Sequence, residues 1–472
     1  MPKLSRDTMG QFLKEGAEVV PQRPNGFQPI FNLPFELLCN IFLKTLDDGD
    51  YLGVGYRTPG LLVSEYCSAD PTNLTRVCSL WRHVALNFPA LWSRIHLLEL
   101  KKTQIRPLRN WLERSRECPL EISINDSRNE RKIDMASALE ILSLIFARSS
   151  RWHRILFKVG LWSVEPMSKL IRSSDLCHWL TTVRYCISWI ITQPTPPQLV
   201  EPICDIATFL QVSPSLKQII WCHGVSNILN SKSSFANLNW VSLDFSIGGE
   251  GLLQIVAELP NIKYLRVRHW AIPCSHIDSP IIVLEKLEEL HINSCCPVDP
   301  FFKHVALPSL KVFDFVYRGI DPPYDSSVFR DFLQRSDCRL EEFKFFGKGP
   351  EDRLEEFFTS PQLIQLTSLD LSWSKISDRL ITLLSFSDER TIMPNLQRLR
   401  LRQCNTTEDG LLSRMLSSRW YMPLLGYSLR PAGRLGYATI SCNEWGPIDK
   451  AFFEQHNDKV RIICMQRKSE IV

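Results

Sequence analysis

Three arginines alternate with leucine in Arg398-Leu399-Arg400-Leu401-Arg402. In an extended chain alternate side chains share a face, so this stretch aligns three guanidiniums, a donor set suited to bidentate contacts with phosphate or carboxylate. A partly paired, solvated strand face is the alternative, with Asp370 as the neutralising partner if its strand lies alongside. Arg266 and Arg268 stand near Tyr264 and Trp270, a mixed cation and aromatic group, but Asp244 and Asp314 interrupt any basic stripe, so nucleic acid is not expected as a partner. Covalent chemistry finds little support. No GxxxxGKS/T loop or GxSxG elbow occurs, and GKGPEDR at 347–353 lacks the required order. Glu288-Glu289, Glu341-Glu342 and Glu355-Glu356 follow element periodicity and read as solvated faces, Cys222-His223 has no third partner, and His83, His153 and His178 read as structural or surface histidines. No enzyme activity, cofactor or metal is expected.

The arginine strand belongs to a recurring unit, apolar at i, i+3 and i+5. The copies are Leu216-Ile219-Trp221, Leu238-Val241-Leu243, Ile262-Leu265-Val267, Leu287-Leu290-Ile292, Leu310-Phe313-Phe315, Leu340-Phe343-Phe345, Leu366-Leu369-Leu371 and Leu396-Leu399-Leu401. Their first positions lie about 22 to 30 residues apart, close to the period of leucine-rich repeats. Only Cys295 and Cys404 keep the Asn/Cys that usually follows the last apolar position, so the array is degenerate. Weaker copies precede it at Trp92-Ile95-Leu97, Pro119-Ile122-Ile124, Trp152-Ile155-Phe157 and Leu180-Val183-Tyr185. Helical spacing fills the intervals at 251–259, 326–336 and 408–419. The expected fold class is α/β: a curved parallel sheet with outer helices over 98–420, closed by a C-terminal cap at 421–472 with one helix and one last strand. The interleaved residues should face outward on the concave sheet, which makes Tyr264, Arg266, Arg268, His291, Lys344, Arg398, Arg400 and Arg402 the candidate target-binding set.

Upstream, a proline-containing leader at 1–31 gives way to an ordered module at 32–97. NLPFELLCNIFLKTL predicts a helix over 34–46, with Pro34 in the first turn, Leu37 and Ile41 on one line, and Leu38 and Phe42 on the next. A second helix is expected from Asp70-Pro71 continuously through NLTRVCSLWRHVALN, with Leu74, Val77, Trp81 and Ala85 on one face. At these residues the chain resembles the F-box family: Leu33-Pro34, Glu36-Leu37-Leu38, Ile41-Phe42, Val77-Cys78, Trp81-Arg82 and Leu91-Trp92 match its pattern in order. The ending FPALWSRIHL is similar to F-box proteins of filamentous and mushroom-forming fungi. The resemblance implies docking on the Skp adaptor of a cullin-based SCF ubiquitin ligase through Leu33, Pro34, Leu37, Leu38, Ile41, Val77 and Cys78, with Phe42, Trp81 and Trp92 in the module's own core. A loop insertion at 47–69 departs from the minimal F-box and bears on access to the adaptor surface.

Composition is consistent with this reading. With 44% apolar and 22% charged residues and a net charge of +4 over 472 residues, the chain reads as globular and nearly neutral, with no global sign of a nucleic-acid or membrane partner. No apolar run is long enough for a membrane span and the first residues lack a signal-peptide core, so a cytoplasmic or nuclear, non-secreted protein is expected. Fifteen cysteines without a CxxC pair read as reduced thiols used as small hydrophobes. KKTQIRPLR at 101–109 reads as an amphipathic helix surface. The expected function is substrate recognition for a ubiquitin ligase, with the repeats holding a target protein. The alternative is a non-catalytic scaffold whose F-box delivers no substrate.

Overall fold

The computed structural model describes residues 33–45, 71–126, 133–188, 196–222, 235–272, 280–319, 325–348, 351–386, 392–420, 435–442 and 445–464. The leader at 1–31, the insertion at 47–69 and the segment 421–434 lie outside the described residues. Two compact units divide the chain: the first takes in the described residues up to 188 together with 196–215, and the second starts at Leu216.

The first unit opens with helix Phe35–Thr45, where Glu36 in the first turn and Lys44 in the last complement the helix dipole. Its inner line, Leu38 and Phe42, is fully buried, and Phe42 meets Trp81 at 4.9 Å between ring centroids. The helix expected to run unbroken from Pro71 is instead two pieces, Pro71–Leu74 and Ser79–Leu86. Cys78 explains the break: it is extended, at φ −157 and ψ 173, and its Sγ accepts the Trp81 N–H at 3.4 Å as a cap of the second piece. Thr75 and Arg82 reinforce the turn, through Thr75 Oγ1 donating to Thr72 O and Arg82 Nε donating to Thr75 O at 2.8 Å.

Trp92 ends the module. It is fully buried, donates Nε1–H to Ala85 O at 2.8 Å and meets Trp111 edge-on at 5.2 Å, which joins the helices to the first strand unit. Four parallel strands follow in chain order, β1 (Arg94–Leu98), β2 (Leu120–Asp126), β3 (Trp152–Gly160) and β4 (Thr182–Ser188). The last two apolar positions of each weak repeat copy fall on them, and exposed Pro119 yields its inward place to buried Leu120. The 101–109 cluster divides between the turn Lys102–Gln104 and helix Ile105–Arg114, whose amphipathic face buries Leu108 while Arg109 reaches Glu140 at 2.6 Å.

In the second unit the strands are β5 (Gln218–Trp221), β6 (Trp240–Gly248), β7 (Tyr264–Ile272), β8 (Ile282–Val283), β9 (Glu289–Ser294), β10 (Val305–Ala306), β11 (Val312–Tyr317), β12 (Glu342–Phe346), β13 (Ser368–Ile376), β14 (Arg398–Cys404), β15 (Tyr437–Cys442) and β16 (Val460–Cys464). β8 and β10 pair with each other, while the other ten form one parallel sheet whose spatial order is the chain order. The three apolar positions of all eight repeat copies are no more than 2% exposed, so one side chain in two along each strand enters the core. Helix side chains meet them there: Phe302 packs on Phe313 at 5.9 Å, and Phe357 on Phe343 at 4.6 Å. On the opposite face the long side chains, such as Lys344, Arg398, Arg400 and Arg402, reach solvent, while the short ones Ser242, Ser372, Thr439 and Ser441 are buried.

Within each compact unit, polar side chains tie successive strand–helix repeats together. Arg335 donates to Val305 O and Phe302 O; buried Arg419 donates to Leu384 O at 2.6 Å, Ile392 O at 3.0 Å and Met393 O at 3.1 Å; Arg151 donates to Cys118 O and Ser115 Oγ. Two of these acceptors, Phe302 O and Leu384 O, are carbonyls left over where a preceding helix ends. Carboxylates do the converse at helix starts. Asp299 accepts from Asp325 N at 2.8 Å, Glu351 from Ser377 N at 2.6 Å, Asp378 from Thr407 N at 2.9 Å, and Asp409 from Ile448 N at 3.0 Å. A methyl group at Gly446 would sit 2.1 Å from the Asp409 carboxyl, which would have to shift from its place beside Ile448 N to make room.

Two further expectations need correction here. The C-terminal region carries two strands, not one: β15 was missed because its inward set, Leu435, Ala438 and Ile440, puts alanine where the pattern expects a larger residue. The reduced-thiol reading fails at Cys186 and Cys222, which are disulfide-bonded, and holds for ten others such as Cys39, Cys177 and Cys338. Burial pushes those three thiols up to about 12, which keeps them protonated at neutral pH.

Candidate functional site

Two surfaces collect the residues that composition and spacing single out, one in each unit. On the helical module, Leu37, Ile41 and Val77 point outward, at 48%, 38% and 58% exposure. Leu37 and Ile41 stand one turn apart on helix Phe35–Thr45, while the lines beside them close the core. Pro34 is exposed and Leu33 half-buried at the start of the same helix. Leu38 departs from the expected adaptor set: at 0% exposure it belongs with Phe42, Val84 and Ala85 in the interior. Cys78 departs in part, because its thiol is engaged as a helix cap. Val77 is exposed because the turn before Cys78 takes it off the Leu74–Ala85 line it would share in an unbroken helix.

In the second unit all eight candidate target-binding residues stand on the open face, brought into rows by strand register. One row runs Arg266, His291, Asp314, Lys344, Asp370 and Arg400 across β7 to β14. Beside it Trp240, Tyr264 and Glu289 align on β6, β7 and β9. Trp240 and Tyr264 stack at 4.6 Å with a 9° interplanar angle, and His291 leans on Tyr264 at 4.9 Å. Burial, the largest influence, raises the Tyr264 phenol above its ordinary pKa and keeps it neutral.

Charge pairing then decides which cations remain available. Arg268 is held by Asp244 at 3.2 Å, and Asp244 is itself buried and bonded to Ser242 Oγ at 2.8 Å, so this arginine is structural. His291 Nδ1 lies 3.2 Å from Asp314. Arg398 reaches Glu342 at 2.6 Å, and Arg400 and Arg402 both reach Asp370 Oδ2 at 3.2 Å. Asp370 was legible as a neighbour, but Glu342 was not, because it lies two strands away and its pairing depends on register. Arg461 was also missed. It is exposed on β16 and aligned through Thr439 with Arg400, a position that becomes readable once β15 is placed.

Among the described residues no group of three or more His, Cys, Asp or Glu is placed to hold a metal ion, and no helix is long and apolar enough to cross a membrane. The two surfaces present hydrogen-bond donors, apolar side chains and aromatic planes.

No family model and no curated protein matches the chain. A solved structure of a Bacteroides fragilis protein is similar to it at a TM-score of 0.33 and 19% identity, over 43% of this chain and 64% of that one. This chain thus spans under two thirds of that protein, and a likeness so distant carries no argument. What the chain is rests on its own residues: a mixed α/β protein with parallel strands and helices in repeating units.

Proposed function

We propose that the protein is a substrate-recognition subunit of an SCF-type ubiquitin ligase, in which the F-box-like module docks on a Skp adaptor, and through it a cullin, while the repeats hold a target protein. The observation that carries the reading is the outward pair Leu37 and Ile41 on a helix whose other line already closes the core. Burying such side chains in a partner is worth roughly 1.5–3 kcal/mol each, and their exposure serves no purpose within the module. The protein itself performs no bond chemistry. It raises the effective concentration of a target beside a charged conjugating enzyme, so a bimolecular encounter becomes intramolecular.

Replacing Leu37 and Ile41 together by aspartate should abolish co-purification with the Skp adaptor and leave the circular dichroism unchanged. Leu38→Ala, by contrast, empties a fully buried site and should cost about 2–5 kcal/mol of stability. Retained adaptor binding in the folded double aspartate variant would sink the F-box reading. The fold supports a receptor and a scaffold equally. The two separate on whether a bound protein accumulates when this chain is removed from cells.

A further inference from the structure

Most of the free thiols among the described residues are out of reach or already engaged. Cys39, Cys177, Cys338, Cys404 and Cys442 are buried, Cys442 Sγ donates to Cys404 O at 3.0 Å, and Cys78 caps a helix. Cys118 and Cys204 are half-buried, and each stands alone in the sequence. Cys295 and Cys296 differ on both counts: they are adjacent, Cys295 is exposed and Cys296 is partly so.

The chain leaves β9 just before them. Ser294, the last residue of that strand, is fully buried, and its hydroxyl accepts the Cys296 N–H at 3.1 Å while donating to Cys296 O at 2.5 Å. Cys295 N–H donates to Trp270 O at 2.9 Å. The backbone of both cysteines is thus fixed from the strand side, while neither thiol has a hydrogen-bond partner among the described residues. Burial first, and then the charge of Cys295 beside it, raises the Cys296 thiol above its ordinary pKa, so it stays protonated at neutral pH. The second influence is itself a mark of two sulfurs close together.

Two accessible thiols on a fixed backbone make a soft, bidentate donor. Zinc would need four donors, and among the described residues no group of three or more His, Cys, Asp or Glu is placed to hold a metal ion. Arsenic(III) needs fewer, because it forms bent S–As–S bridges and keeps a hydroxyl or an organic group as its third substituent. The condensation is redox-neutral. With arsenous acid, As(OH)3, two As–O and two S–H bonds break and two As–S bonds form, and the two hydroxyls carry off the two thiol protons as two waters. No oxidant takes part. Once one sulfur is bonded the second attacks within the same molecule, an advantage of about 10²–10⁴ over separate thiols.

We propose that Cys295 and Cys296 together chelate trivalent arsenic at the end of β9, one arsenic atom bridging both sulfurs. The site involves neither the adaptor surface nor the arginine strand, and it stands whether or not the F-box reading does.

The probe is phenylarsine oxide, whose one oxygen leaves as water with both thiol protons. One equivalent is added to the full-length protein with glutathione in large excess; the adduct is read by intact-mass spectrometry and located by peptide mapping. Wild type should carry one arsenic that glutathione leaves in place and dimercaptopropanol removes, on the fragment that holds both cysteines. Cys295→Ser and Cys296→Ser should each weaken retention at least about tenfold, because a single thiol has no chelate advantage over glutathione. Cys118→Ser with Cys204→Ser should keep it, and zinc should not compete. Arsenic mapped to other cysteines, full retention in either single serine variant, or complete stripping from wild type by glutathione would overturn the proposal. The mapping is done on wild type, so it decides the matter even where a serine variant fails to fold.

Discussion

His96 on β1 is held below its usual pKa, at about 4, because burial penalises the imidazolium, and its Nδ1 has no hydrogen-bond partner. In the unfolded chain the ring titrates near 6.5, so between about 6.5 and 4 the unfolded state binds a proton that the folded state refuses. The ring therefore contributes fully above that window and lowers stability as pH falls through it, with a slope of at most about 1.4 kcal/mol per pH unit. Urea unfolding at pH 7 and pH 5 checks this: His96→Gln should lose less stability between the two than wild type does. Equal losses would show that carboxylates alone set the acid response. Leu37 and Leu38 make a parallel point about neighbours. They are the same residue type one position apart, and 100° of helix rotation gives one to solvent and the other to the core.

At the scale of elements, the arginine ties turn single side chains into joints. Arg419 is buried and still cationic at neutral pH, although burial lowers its pKa to about 10, and of its three carbonyl partners Met393 O also accepts the Leu396 N–H. Arg419→Ala should cost about 3 kcal/mol or more by taking the side-chain donor from Leu384 O and Ile392 O, and Arg419→Lys should recover only part, because an ammonium cannot match the planar fork. Thermal unfolding of both variants provides the comparison, and an alanine variant as stable as wild type would show that water replaces the guanidinium. None of these ties was readable beforehand. The strands were legible because burial selects for apolar residues at fixed spacing, as at Leu287, Leu290 and Ile292. Arg419 and Asp378 act on backbone groups tens of residues away, so no local pattern marks them. The open-face residues were legible as a set by alternation, but their charge balance was not, since it depends on which strands adjoin. The helix break at Cys78 escaped for a related reason: a thiol cap carries a weaker signature than serine or aspartate would.

For the whole molecule, two compact units imply unfolding that is not all-or-none. Guanidinium titrations followed by tryptophan fluorescence and by far-ultraviolet circular dichroism should give different midpoints; coincident curves would mean the units melt as one. Within each unit the neighbours in space are neighbours in sequence, since the parallel strands lie in chain order. That order matters while the chain is being made. At about 5–20 residues per second a ribosome releases one strand–helix unit every few seconds. Each newcomer finds its upstream partner already in place, with the donor or acceptor that will tie it waiting at the growing edge. Completion of the carboxy terminus is not needed before the sheet begins to form, and the apolar edge left open at any moment is one repeat wide.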